Sequence, residues 1–266
     1  MNIDAWSTEA RMWGDPGRSN DGISFGLSDT ISHTVQALWP RPGERIIDMG
    51  TGTGWGARLA TWRGAEVTGV DIAPGMLEAA EALSAGLDPC SVFRRGAAEA
   101  LPIDDDSFDG ALSTYGVIFS AEPTRAAAEM ARVLRPGGRL ALATWADDSE
   151  GYIAGFFALI GAWSEAPPPP ASPFQWGNPD WLAETLGEHF EIDLREQLTT
   201  LYAPDVATIW EEYVQGFGPV AATHAALPPD RREPFRTAFE DFHRPYASHM
   251  GPAIPRLALV ARGTRL

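Results

Sequence analysis

The sequence has no lysine: its 20 basic residues are all arginines, set against 36 acids for a formal charge of −16. The missing amine excludes Schiff-base chemistry and the lysine of a phosphate loop. The acidic balance, with no run of bases, argues against a nucleic-acid backbone or an anionic membrane surface as partner. Cysteine is limited to Cys90, which excludes an internal disulfide and a cysteine-built zinc site. The five histidines (His33, His189, His224, His243, His249) show no ligand spacing, so no metal is expected. No apolar run approaches eighteen residues, and the opening MNIDAWSTEA lacks the basic-then-apolar order of a signal peptide. These absences lead to the expectation of a cytoplasmic protein.

What is present suits one α/β domain. The 266 residues are 44% apolar, ample for a sizeable core. Between 44 and 145 strands alternate with helices: ERIIDMG, AEVTGVDI, CSVFRRGAAE, FDGALSTYGV and RLALATW read as strands. WGARLATWRG, PGMLEAAEALSAGL and EPTRAAAEMARVLRPGG read as helices, the last stopped by Pro136 and its glycine pair. Such alternation predicts a doubly wound parallel sheet with its ligand loops on one edge. Farther on, EGYIAGFFALIGAW reads as an apolar helix and EAPPPPASP as a stiff connector. NPDWLAETLGEHF, capped by Asn178, DVATIWEEYVQGF and PPDRREPFRTAFEDFHRPYASHM are expected helices, with strands near 190–202 and 256–264. The expected organisation is a single domain over 1–266: a core at 36–145 and a helical lid at about 148–250, two late strands rejoining a sheet of seven.

The stretch IIDMGTGTGWGARLAT places Asp48 at a strand end and glycine at Gly50, Gly52, Gly54 and Gly56. Either a ligand needs bare backbone there or the chain makes only a tight turn. A dinucleotide turn wants G-x-G-x-x-G. Counting from Gly50 the third place is Trp55; counting from Gly52 it is Ala57, two residues late. Backbone amides at a helix start favour a carboxylate, and Asp48 beside them suits an amine. Asp71, ending the second strand, is placed to accept from two ribose hydroxyls. GAAEALPIDDDSFDG offers an apolar slot for an adenine ring. An amino-acid end, a ribose and an adenine together describe S-adenosylmethionine (SAM). A dehydrogenase on a similar sheet and a SAM-binding protein without turnover are the alternative readings.

DMGTGTG, GVDIAPGMLEAA, GAAEALPIDDDSFD and AAAEMARVLRPGGRLALATW resemble the class I SAM-dependent methyltransferases, in the group with the ubiquinone and menaquinone methyltransferase pattern. The resemblance implies a Rossmann-like seven-stranded fold and transfer of a methyl group from SAM, giving S-adenosylhomocysteine (SAH), without metal. It implies that Gly50, Gly52 and Gly54 line the methionine part, with Thr51 nearby and Asp48 below. Asp71 would take the ribose hydroxyls, with Ile72 and Met76 against the adenine. Ser113 and Thr114 would approach the sulfonium. The family's usual Gly-Asp-Ala-Glu is here Gly96-Ala97-Ala98-Glu99, which removes one side-chain bond to the adenine, worth about 1 kcal/mol. Many relatives carry a histidine near 118–119; Ile118 and Phe119 stand here, so no general base is carried over.

Trp13, among flexible glycines, is a candidate cover over the cofactor, or an aromatic packed on the sheet edge. Tyr115, Phe119, Trp145, Tyr152, Trp210 and Tyr213 are the candidate lining of an apolar, aromatic acceptor pocket. His224, His243 and Tyr213 are the candidates for proton transfer. The acid run Asp104–Asp106 reads as a solvated loop. The expected partner is a small-molecule methyl acceptor; homo-oligomers are common in such folds, and nothing in the sequence decides the state.

Overall fold

In a computed structural model, residues 7–148 and 150–266 are described. The run RIIDM, buried from Ile46 onward, forms an interior strand of the sheet as β1 (Arg45–Met49). On one side β1 pairs in parallel with β2 (Glu66–Asp71), which pairs with β3 (Val92–Arg95). On its other side lies β4 (Phe108–Thr114), followed by β5 (Leu134–Trp145), both parallel. The edge is antiparallel: β7 (Ala253–Arg265) runs against β5, and β6 (Phe190–Tyr202) against β7. The order β3-β2-β1-β4-β5-β7-β6 reverses direction between β1 and β4, the switch point where open α/β sheets leave a crevice.

Parallel neighbours need crossovers, and the helices α4 (Trp55–Thr61), α5 (Pro74–Ser84) and α6 (Pro123–Val133) supply them. Pro74 and Pro123 open their helices where no amide partner is needed. The buried face of α6 is mostly alanine (Ala126, Ala127, Ala131) with Met130 and Val133, so it sits close on the sheet. Its end differs from the expectation: the helix stops at Val133, and Leu134–Gly138 already belong to β5. There the register jumps from Phe108↔Leu134 to Gly110↔Arg139, so the RPGG turn is a bulge inside the ladder.

Among the described residues, three α-helices precede the sheet: α1 (Ser7–Gly14), α2 (Asn20–Gly26) and α3 (Ser28–Leu38). Between β5 and β6 come α7 (Tyr152–Trp163) and α8 (Pro179–Gly187), the latter capped by Asn178, whose side chain accepts from the Trp181 N–H at 2.9 Å. Between β6 and β7 come α9 (Val206–Gly216), α10 (Gly218–Ala226) and α11 (Pro229–His243). The pattern gave no sign of α10, and the long helix expected to reach Met250 ends at His243, followed by a short 3₁₀ turn to Tyr246. Phe156 on α7 meets Tyr213, Phe217, Phe239 and Phe242 with ring centroids 5.3–6.3 Å apart, an aromatic core over the sheet edge. No helix among the described residues is long and apolar enough to cross a membrane.

Candidate functional site

The glycines of the first loop serve different ends. Gly50 has φ +66°, and a Cβ there would lie 2.6 Å from Cα of Gly116. The loops leaving β1 and β4 therefore touch backbone to backbone at the switch point. Gly52 has φ +54°, but a Cβ there would meet nothing within 4 Å. It borders an open cavity, where bare backbone admits a close ligand.

Asp71 fastens this loop. Its Oδ2 accepts the Gly52 N–H and its Oδ1 the Ala73 N–H, both at 2.9 Å. Burial raises its carboxyl pKa, against the lowering effect of the Ala73, Gly52 and Ile72 amides. Each oxygen keeps a lone pair, and the side chain borders the cavity beside Ile72 and Met76, with Ala97, Ala98 and Glu99 also in the wall. The expectation of free amides awaiting a carboxylate needs correction. Gly50 and Thr51 N–H donate to Val70 O, Gly52 N–H to Asp71, and Gly54 N–H to Thr51 O. These amides hold the loop's shape and are not free for a ligand.

Asp48 lies beneath, 1% exposed. Its Oδ2 accepts the Thr51 hydroxyl at 2.8 Å, and its Oδ1 has no partner among the described residues. Burial pushes its carboxyl from 3.8 up to about 6. The folded state then holds this proton between pH 4 and 6 while the unfolded chain has lost it, so stability falls as pH rises through that window. At about 1.4 kcal/mol per pH unit, the penalty above pH 6 is about 3 kcal/mol. Urea titrations of wild type and Asp48→Asn across pH 4–7 are expected to diverge, the variant gaining up to about 3 kcal/mol relative to wild type above pH 6. Parallel curves would show that Asp48 carries no such burden.

The first helices cover the cavity, contributing Trp13, Asn20, Ile23 and Leu27 to its wall. Trp13 stands 4.6 Å from Phe119 and 5.6 Å from Phe217, ring to ring. Close backbone contacts seat the segment: a Cβ on Gly75 would strike Gly14 O at 2.2 Å, and one on Gly218 would strike Met12 O at 2.5 Å. Asn20 donates to Gly216 O at 2.7 Å. Asp21 accepts from Thr53 Oγ1 (3.0 Å), Trp55 Nε1 (2.7 Å) and Arg58 (3.1 Å), tying α2 to the glycine loop and α4. Glu9 also reaches the cavity; burial, and then the Glu99 charge, raise its pKa.

The far half of the cavity is aromatic. Tyr115, in the left-handed region at φ +59°, stacks on Trp145 at 4.1 Å, and its buried hydroxyl has no partner among the described residues. Tyr152 Oη lies 2.8 Å from His243 Nε2, while His243 Nδ1 lies 2.7 Å from Phe239 O. A carbonyl only accepts, so Nδ1 carries the hydrogen and Nε2 accepts the Tyr152 hydroxyl. Burial lowers the imidazole pKa and raises those of Tyr152 and Tyr213, so all three are neutral near pH 7. Arg256, 4% exposed, completes the wall.

The cavity thus brings together Trp13, Gly50, Thr51, Gly52, Asp71, Ile72, Met76, Ala97, Ala98, Glu99, Thr114, Tyr115, Phe119, Trp145, Tyr152 and Tyr213. Six expected positions do not line it, and Asp48, buried beneath the loop, is one of them. Ser113 is fully buried, its hydroxyl donating to Met49 O at 2.6 Å and accepting from the Val117 N–H, so it braces β4 on β1. Gly54, at φ +83°, starts α4 and faces Ala80 and Phe93. Trp210 packs on Phe235, Phe239 and His224, away from the opening, and His224 goes with it. His243 stands behind Tyr152 and Phe156 of the wall and does not line the cavity itself. The acid run forms surface ion pairs, Asp105 with Arg132 and Asp106 with Arg265. No cluster of three or more metal-ligating side chains occurs among the described residues. Sequence reasoning missed Glu9, Asp21 and Arg256; a lone acid or base far from any motif carries no local signal.

The methyltransferase-domain family matches residues 47–142. The uncharacterized protein Rv1403c of Mycobacterium tuberculosis is 33% identical over 199 residues, 73% of this chain and 70% of that protein. A demethylmenaquinone methyltransferase of Clavibacter sepedonicus is 37% identical over 127 residues, 47% of this chain and 51% of the enzyme. Among solved structures, the YcgJ protein of Bacillus subtilis superposes with a TM-score of 0.61 at 20% identity, covering 89% of this chain and 97% of that one. That last likeness speaks for the fold alone. With the glycine loop and Asp71 on one cavity wall, these matches establish that the chain belongs to the class I SAM-dependent methyltransferases.

Proposed function

We propose that this enzyme methylates a small aromatic acceptor whose nucleophilic atom carries an acidic proton. The observation that carries the reading is the single cavity with two unlike halves, the glycine loop and Asp71 at one end and stacked aromatic rings at the other. The residues present fit the cofactor: Gly52 leaves room where a side chain would stand, Asp71 retains lone pairs for ribose hydroxyls, and Ile72, Met76, Ala97 and Ala98 offer apolar walls for a purine. Bound SAM supplies a methyl group already activated on a sulfonium, so in-line attack by the acceptor breaks the C–S bond and leaves SAH. The protein's part is orientation and exclusion of water. Trp13, Phe119 and Phe217 close the middle of the cavity, and Tyr115 on Trp145 gives a flat face for an acceptor ring.

Proton removal falls to Tyr152. Its oxygen takes the acceptor's proton as its own passes to Nε2 of His243, which Phe239 O holds in the receiving tautomer. The imidazole's lowered pKa makes this a weak base, adequate for a phenol and inadequate for an aliphatic alcohol. Tyr152→Phe is therefore expected to slow methyl transfer to phenols by about 100-fold or more while leaving SAH affinity unchanged. Radiolabel transfer from SAM to a panel of phenols, thiols and amines, with calorimetry for SAH, checks both parts. Transfer confined to amines or to aliphatic acceptors, or a fully active Tyr152→Phe with phenols, would overturn the assignment.

A further inference from the structure

Arg256 is an anomaly in so acidic a chain. With 36 acids against 20 arginines, a carboxylate partner is easily found, yet no carboxylate among the described residues lies within 4.0 Å of its guanidinium. It is 4% exposed and its Nε has no hydrogen-bond partner among the described residues. One Nη donates to Gly26 O at 2.5 Å, and the guanidinium stands 5.9 Å from the Trp145 ring. Tyr213 offers its hydroxyl, and the positive charge is close enough to favour the ionised forms of Tyr115, Tyr152 and Tyr213 alike. Within reach of its charge, the buried Tyr115 hydroxyl has no partner of good geometry among the described residues, with the Thr30 side chain as its polar neighbour.

A buried cation is costly unless a partner charge and hydrogen bonds offset its lost hydration, and an anion entering the cavity would supply that partner here. β7 fixes this one rigidly: Arg256 pairs with Thr199 of β6, two residues before Ala258 pairs with Trp145. Arg256 and Tyr115 both border the aromatic half.

We propose that the acceptor bears an ionised acidic group, a carboxylate or an equivalent planar oxyanion, which Arg256 receives with Tyr115 as a second donor. A guanidinium fork matches a planar anion with two parallel hydrogen bonds. The inference rests on the aromatic half being the acceptor pocket, and it narrows the substrate class to aromatic acids.

The test uses SAH-saturated protein and two probes of the same shape, 2-naphthoate and 2-naphthamide, titrated by calorimetry. Wild type is expected to bind the acid at least tenfold more tightly than the amide. Arg256→Gln should bring the two within about twofold, and Arg256→Lys should keep part of the preference. SAH affinity should stay within about twofold throughout. Equal binding by wild type, or a preference that survives Arg256→Gln, overturns the proposal. Loss of SAH affinity in Arg256→Gln with the acid-to-amide ratio intact assigns the arginine to the cofactor's carboxylate and overturns it too. If Arg256→Gln fails to fold, the acid-against-amide comparison in wild type and Arg256→Lys decides. Failure of wild type to bind SAH defeats the cofactor reading instead, a result distinct from all of these.

Discussion

Asp71→Ala is expected to weaken SAM and SAH binding at least tenfold, and about 100-fold if both ribose hydroxyls depend on it. The carboxylate does two jobs: it accepts the Gly52 and Ala73 amides, and it turns its remaining lone pairs toward the cavity. A hydrogen bond to a charged group contributes about 1.5–3 kcal/mol, and about 1.4 kcal/mol is a factor of ten in affinity. Asp71→Asn keeps one acceptor oxygen and should fall between alanine and wild type. Calorimetric titration with SAH, alongside a thermal melt to confirm folding, checks the series. Unchanged affinity in the alanine variant would remove Asp71 from the ribose.

Gly50→Ala and Gly52→Ala should separate stability from binding, although both replace a left-handed glycine two residues apart. At Gly50 the added methyl strikes Gly116 Cα at 2.6 Å, and backbone cannot swing aside as a side-chain tip can. Left-handed strain of about 1–2 kcal/mol and overpacking of about 1–3 kcal/mol together take a large share of a domain's net stability. At Gly52 only the strain applies, because the methyl points into open space. Gly52→Ala should therefore stay folded and lose SAH affinity, whereas Gly50→Ala should unfold at markedly lower urea. Equal midpoints for the two would show that the Gly50–Gly116 contact can relax.

Much of this architecture can be read from local pattern. Apolar runs closed by Asp48, Asp71 and Thr114 mark strand ends, and those ends lie on one edge because parallel strands require it. The glycine loop and Asp71 are legible for the same reason, being nearest neighbours in the sheet and fixed by the crossover between them. What sequence missed is long-range. Arg256 meets Gly26 across 230 positions and Asn20 meets Gly216 across 196, and no periodicity records such a meeting. Ser113 was misplaced by one step of a strand's alternation: Thr114 faces the cavity and Ser113 therefore faces β1's carbonyl. Trp210 illustrates the usual fate of a helical aromatic, packing among Phe235 and Phe239 rather than facing a ligand.

The seating of the first helices has a kinetic consequence. The same segment that brings Trp13 against Phe119 and Phe217 also packs on Gly216 and Gly218, either side of Phe217. On the proposed assignment of the two ligands, the same three helices cover both. Asp21→Ala, which cuts the tie between α2 and the glycine loop, is therefore expected to change steady-state turnover more than the single-turnover rate of methyl transfer, a comparison that rapid-quench kinetics makes directly.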